Sequence, residues 1–279
     1  MIDLSRFIVL TGLPRSGTSM LCRMLTQVDD VVALNEGLVL GNLSSPQDIP
    51  PFLHAEFERI HAQLRETRMA PARHEHGRQV DNHFNRSSEN RQLKLQKSEI
   101  AFDKPLSPCF TLAIKHNAIF TLALESICAH GFRVYAQVRN PLAVLGSWNT
   151  LNIPVSRGKV RKMEVLDSAL NARIEQVEDL QEKQIILLDD YFKRYRDHLD
   201  QDQILHYEQL CASPSIELSK IVHAQVPVNS VAPVESLNHS ELYDSELMRR
   251  HFEMLLKMDE GAGWRHFYTE GELFNLIQQ

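Results

Sequence analysis

Hydrophobic positions along this chain fall into short apolar runs separated by stretches of helical spacing. Phe7 to Leu10 is one such run and reads as a strand, while Ser19 to Gln27 sets Met20, Leu21, Met24 and Leu25 on one helical face. VVAL (31–34), FTLAI (110–114), FRVYAQV (132–138) and QILHY (203–207) repeat the strand pattern. Helical spacing recurs at 54–69 through Phe57, Ile60 and Leu64, at 119–129, and after Pro141, whose ring suits a first helical turn. It continues from about Met163 to His198 with a break near 182–184, and over most of Leu237–Met258. Strands alternating with helices predict an α/β fold with a central parallel sheet flanked by helices, and ligands at the strand carboxyl ends. One stretch, about 71–97, is polar, rich in His, Arg and Asn and poor in apolar anchors, and reads as an insertion or lid.

Composition narrows the function. The 279 residues suffice for one domain spanning 1–279, and 43% hydrophobic with 24% charged residues is ordinary for a soluble globular protein. A net charge of −6 argues against a nucleic-acid-binding surface, so any anion site must be a local basic cluster. The four cysteines (Cys22, Cys109, Cys128, Cys211) are scattered without a CxxC pair and predict reduced thiols, mostly buried. No run approaches the roughly 20 apolar residues of a membrane span. The first strand begins at Phe7, which leaves no room for a leader ahead of it, so the expected location is cytoplasmic.

The most informative segment is FIVLTGLPRSGTSML (7–21). A strand, a glycine turn and a helix start form a phosphate-binding loop, in which backbone N–H groups and the positive helix end cradle an anion. The Gly12-x4-Gly17 spacing matches the nucleotide-triphosphatase loop, so the expected architecture is a P-loop-type three-layer fold. The lysine that should follow is Thr18, however, and Arg15 sits inside the loop, which argues for an anion other than an ATP triphosphate. Three more segments fall at strand ends: Lys115-His116-Asn117, Glu36, and Arg139 with Ser147 eight positions on, close to two helical turns away.

LTGLPRSGTSML followed by VYAQVRNPLAVLGSW resembles the sulfotransferase superfamily that uses 3′-phosphoadenosine 5′-phosphosulfate. The resemblance implies that the first loop (Arg15, Ser16, Gly17, Thr18, Ser19) binds the 5′-phosphosulfate, and that Arg139 and Ser147 bind the 3′-phosphate. LHYEQLCASP (205–214) is similar to the segment whose tyrosine contacts adenine, which suggests Tyr207. GAGWRHF (261–267) is similar to the loop that closes over the nucleotide, with Trp264 a candidate contact. The family's Arg-Lys-Gly is replaced here by Asp259-Glu260-Gly261, so Arg157 or Lys159 is a candidate substitute. Cytosolic members use Lys-x-His after the third strand, whereas here His116 stands one place early, which predicts that it points to the opposite face. Glu36 is therefore the favoured base, with His116 the alternative.

The expected chemistry is in-line transfer of a sulfuryl group to an acceptor hydroxyl or amine, yielding 3′,5′-ADP without a metal. Arg15 and Lys115 would hold the phosphosulfate and Glu36 or His116 would take the proton. Expected partners are a small-molecule, carbohydrate or lipid acceptor, shaped by the 40–100 region and the 150–165 loop, with no nucleic acid and no membrane span. No sequence feature speaks to oligomeric state. The rival readings are a P-loop small-molecule kinase, which should need a loop lysine and a Mg²⁺ carboxylate, and a non-catalytic nucleotide-binding protein of the same fold. His74-Glu75-His76 with His83 has metal-ligand types, but its polar context reads as a solvated loop.

Overall fold

A computed structural model describes residues 4–41, 43–84, 93–222 and 231–278. Its centre is a parallel sheet of β1 (Phe7–Gly12), β2 (Val31–Asn35), β5 (Thr111–Lys115), β6 (Arg133–Val138) and β7 (Ile204–His206), in the spatial order β2-β5-β1-β6-β7. The remaining strands, β3 (Met69–His74) and β4 (Gln96–Ala101), form a separate antiparallel ribbon. The expected α/β architecture is present.

The apolar strand runs are explained by burial on both faces. Alternation along β1 sends Phe7 and Val9 into one core and Ile8 and Leu10 into the other. The first core packs the sheet against α2 (Ile49–Thr67), α4 (Leu124–Ala129), α5 (Pro141–Asn149) and the long helix Leu180–His198; Phe7 stacks on Phe57 of α2 at 5.0 Å. The second packs it against α1 (Thr18–Gln27) and the helices Tyr207–Ala212 and Pro214–Ile221. The sheet is thus the middle of three layers.

Several boundaries differ from the sequence pattern, each for a local reason. α2 starts at Ile49 because Pro50 and Pro51 fit its first turn. The 119–129 stretch is two short helices, α3 (Asn117–Leu122) and α4, meeting at Ala123. The 163–198 stretch breaks at Asp167 and again before Leu180, not at 182–184, because the side chains of Asp167 and Asp179 cap new helices by accepting from Leu170 and Glu182 N–H. Asp244 does the same for Ser245–Leu256, so 237–244 stays irregular. The expected insertion at 71–97 is bounded by the ribbon, whose β3 turns Ala70, Ala72 and His74 inward; residues 85–92 lie outside the described residues. All four cysteines are free, with Cys22 and Cys211 buried but Cys109 exposed.

Candidate functional site

The carboxyl ends of the parallel strands open into a cleft of about 810 Å³, the size range of a small-molecule site. Chain leaving β1 departs to β2 on one side and, after β5, to β6 on the other, so β1 is where the sheet's connections diverge. The loop from Gly12 to Gly17 sits at that point.

Close packing explains its glycines. Gly12 has φ +152° and a Cβ there would lie 2.5 Å from the Gln137 carbonyl oxygen; Gly17 has φ +88° and its Cβ would lie 2.6 Å from the Tyr207 ring. The loop is held from below: Leu13 N–H donates to the Gln137 carbonyl (3.2 Å), and Trp148 Nε1–H to that of Pro14 (2.7 Å). α1 then begins at Thr18, and Gly17, Thr18, Ser19 and Met20 line the cleft. First-turn N–H groups have no intrahelical partner, and the helix dipole adds positive potential there. Ser16 is fully buried and does not line the cleft; its Oγ and the Gln137 carboxamide have no hydrogen-bond partner among the described residues.

Arg15, Ser147 and Arg139 do come together. Arg15 Nε donates to Ser147 Oγ (3.1 Å), and Arg139 Nη1 donates to the Arg15 carbonyl (2.8 Å). Arg139 also stacks on the Tyr207 ring, its guanidinium carbon 4.4 Å from the centroid. The rest of its fork is engaged by the chain itself: Nε on Asn238 Oδ1 (2.8 Å), and Nη2 on the Leu237 carbonyl (2.6 Å) and Tyr243 hydroxyl (3.1 Å). Leu237 N–H in turn donates to the Tyr207 hydroxyl at 2.9 Å. Four of the five guanidinium donors are used, leaving one Nη1–H.

No protein-family model matches the chain, and no curated protein matches it. In structure it is similar to a sulfotransferase. That protein, a sulfotransferase from Mycobacterium avium, shares 13% sequence identity with a TM-score of 0.43, covering 93% of this chain and 78% of its own.

Across the cleft, β2 and β5 bring Glu36 and Lys115 together. Lys115 Nζ donates to Glu36 Oε1 (2.8 Å) and to Asn35 Oδ1 (3.2 Å), while Arg73 from β3 approaches Glu36 Oε2 at 3.0 Å. Burial opposes the charge on Glu36, yet the Lys115 ammonium, by its charge and its hydrogen bond, holds the carboxyl below the ordinary range. Glu36 takes φ +48°, just past the end of β2, which turns the chain out of the sheet at the cleft.

His116 corrects the expectation from strand alternation. β5 ends at Lys115, and His116 is the residue preceding α3, so period-two alternation no longer applies; Lys115, His116 and Asn117 all line the cleft. Burial pushes the His116 imidazole down to about 4, against the pull of Glu36.

His83 departs from the solvated-loop expectation: it lines the cleft and is tied to the sheet and to α1. Its Nε2 lies 2.6 Å from Ser19 Oγ and 2.6 Å from Asn35 Nδ2. Lys115 occupies Asn35 Oδ1, so the carboxamide turns its N–H toward His83, whose Nε2 must be the acceptor. Burial, then Lys115, pushes this ring down to about 3 and keeps it neutral. No group of His, Cys, Asp and Glu fit to hold a metal ion occurs among the described residues. A link between residues 64 positions apart leaves no local sequence signal.

Trp264 is not brought to the cleft. It is fully buried behind the helix Leu180–His198, where Gly263 N–H donates to Asp189 Oδ1 (2.6 Å) and Arg265 stacks on the indole. Glycine is needed at 263 because a Cβ would lie 2.5 Å from Lys193 N, so GAGWRHF serves that packing. Lys159 lines the cleft and pairs with Glu175 at 3.0 Å; Arg157 does not line it.

Proposed function

We propose that this protein is a sulfotransferase that takes its sulfuryl group from 3′-phosphoadenosine 5′-phosphosulfate and gives it to a hydroxyl-bearing small molecule. The observation that carries the reading is the contact of Arg15 with Ser147 and of Arg139 with the Arg15 carbonyl, which joins the phosphate loop to a second anion-binding pair. A nucleotide bearing phosphate at both ends of its ribose needs two such sites, while a nucleoside triphosphate needs one with a lysine. Thr18 stands where that lysine would be.

The residues present fit such a nucleotide. The first-turn N–H groups of α1 and the Lys115 ammonium would hold the phosphosulfate end. Ser147 Oγ–H and the remaining Arg139 Nη1–H would take the 3′-phosphate, and the Tyr207 ring the adenine. Bound there, the nucleotide supplies an activated sulfuryl group. Thr18 contributes a hydroxyl donor, Ser19 a second once its hydroxyl turns from His83, and the fixed N–H array needs no reorganisation as charge develops.

Glu36 is the group that accepts the acceptor's proton. At rest both of its oxygens face cations, which makes it a weak base. An anion at the loop competes for Lys115 and thereby raises the basicity of Glu36. Loading of the first site thus prepares the second.

Thermal unfolding with 3′,5′-ADP, AMP, ADP or ATP, the last two with and without Mg²⁺, tests the reading. A ligand at 100 times its dissociation constant adds about 2.7 kcal/mol, which should raise the midpoint by roughly 5–10 °C. The expected result is a metal-independent shift with 3′,5′-ADP that AMP does not match. A shift with Mg²⁺-ATP alone would move the protein to the kinases and overturn the proposal.

A further inference from the structure

The acceptor end of the cleft has a chemical character of its own. From Glu36 the chain runs straight into Leu38, Val39 and Leu40, which line one side. Ile153, Val155 and Val160 line another part of the same cleft, and Lys162 pins the two stretches together by donating to the carbonyls of Gly41 (2.7 Å) and Leu43 (3.0 Å). Val39 is 75% exposed although it lines a cleft. An apolar side chain left open on a concave wall is stabilised when an apolar body covers it.

Charge adds a second requirement. The protein carries a net −6, yet the cleft is lined by eight Lys or Arg against three Asp or Glu. Most of these cations are committed: Lys115 and Arg73 to Glu36, Arg139 to the 237–243 segment, Lys97 and Lys162 to backbone carbonyls. Arg161 is exposed at the mouth beside Val160 and makes no ion pair among the described residues. Lys159 nearby is held only by a half-exposed pair with Glu175, an interaction worth little in water. Arg161 and Lys159 therefore add positive charge to the same part of the cleft wall that Val155 and Val160 line.

We propose that the acceptor is an amphipathic anion: a molecule with its reacting hydroxyl at one end, an apolar body, and a carboxylate or phosphate at the other. Its hydroxyl meets Glu36, its body covers Val39 and the Ile153–Val160 stretch, and its anion meets Arg161. The word acceptor rests on the sulfotransferase reading, whereas the binding surface does not.

Titration calorimetry with 12-hydroxydodecanoate, its methyl ester and 4-hydroxybutyrate tests this, with 3′,5′-ADP titrated separately. The long acid should bind at least about tenfold more tightly than either comparison ligand, a gap of about 1.4 kcal/mol. Arg161→Glu should erase the difference between acid and ester, and Val39→Asp should weaken both, with 3′,5′-ADP binding unchanged in each variant. Equal binding of acid and ester, or an acid preference that survives Arg161→Glu, would overturn the proposal. Binding of 3′,5′-ADP with no binding of the long acid would sink the proposal and leave the sulfotransferase reading standing. The reverse pattern, an Arg161-dependent acid preference without 3′,5′-ADP binding, would support the surface and remove the sulfotransferase reading.

Discussion

Lys115 and Glu36 form a 2.8 Å ion pair across neighbouring strands, with the lysine side chain 2% exposed. The backbone locks the pair as well, since Glu36 N–H donates to the Lys115 carbonyl at 3.0 Å. A buried ammonium stripped of its partner is costly, so the isosteric Glu36→Gln is the informative variant: its amide oxygen still meets Lys115. Turnover should fall about 10²–10⁴-fold, the usual contribution of a positioned base. Affinity for 3′,5′-ADP should hold or tighten by calorimetry, since the neutral amide competes less with the anion for Lys115. Equal losses in both would make Glu36 a structural residue.

Ser147 offers a cleaner probe of the 3′-phosphate than Arg139. Removing Arg139 would also release Leu237, Asn238 and the Arg15 carbonyl, and so disturb the fold. Ser147→Ala deletes one hydroxyl. Affinity for 3′,5′-ADP should drop about tenfold, roughly one charge-assisted hydrogen bond, with AMP affinity unchanged. Matching losses for the two nucleotides would take the 3′-phosphate away from this corner.

Gly17→Ala tests the loop backbone. A methyl group would meet the Tyr207 ring at 2.6 Å while the backbone holds φ +88°. The substitution should cost about 1–3 kcal/mol in urea unfolding and abolish 3′,5′-ADP binding, because the loop must lift off Tyr207. Wild-type affinity would mean that the loop tolerates a different path.

His251 governs part of the acid sensitivity. It is fully buried on the helix Ser245–Leu256, and neither ring nitrogen has a partner among the described residues. Burial, then Arg250, pushes it down to about 4, with Asp179 opposing. The folded state therefore resists a proton that the unfolded chain takes up near pH 6.5. The contribution is complete above that value and is lost as pH falls toward 4. At pH 5 the loss is about 2 kcal/mol, and His251→Leu should escape it. Urea unfolding of both proteins at pH 7.5 and pH 5 checks this; identical pH dependence would show the histidine already charged when folded.

The features legible in the sequence are those with local causes. Apolar runs that match a strand buried on both faces mark β1, β2, β5, β6 and β7, and the glycines at 12 and 17 mark a loop whose backbone no other residue fits. Glu36, Lys115, Arg139 and Tyr207 could be named because each sits at or one step past a strand end, where a parallel sheet exposes side chains to one edge. Strand alternation places His116 on the wrong face because its strand stops one residue earlier than alternation assumes. The place of Trp264 is not legible in the sequence, because a glycine loop that packs on a helix and one that closes on a ligand have the same composition.

By itself, then, the amino-acid sequence determined the sheet, its loop and the residues at its edge, since hydrophobic period and backbone freedom act over a few neighbouring positions. Only the tertiary structure decided that His83 reaches Ser19 and Asn35, that Leu237 and Asn238 occupy most of Arg139, and that both oxygens of Glu36 face cations. Those contacts join segments far apart in the chain. They arise when burial of two cores draws the segments together and each buried polar group must find a partner, a requirement of packing that no local pattern records.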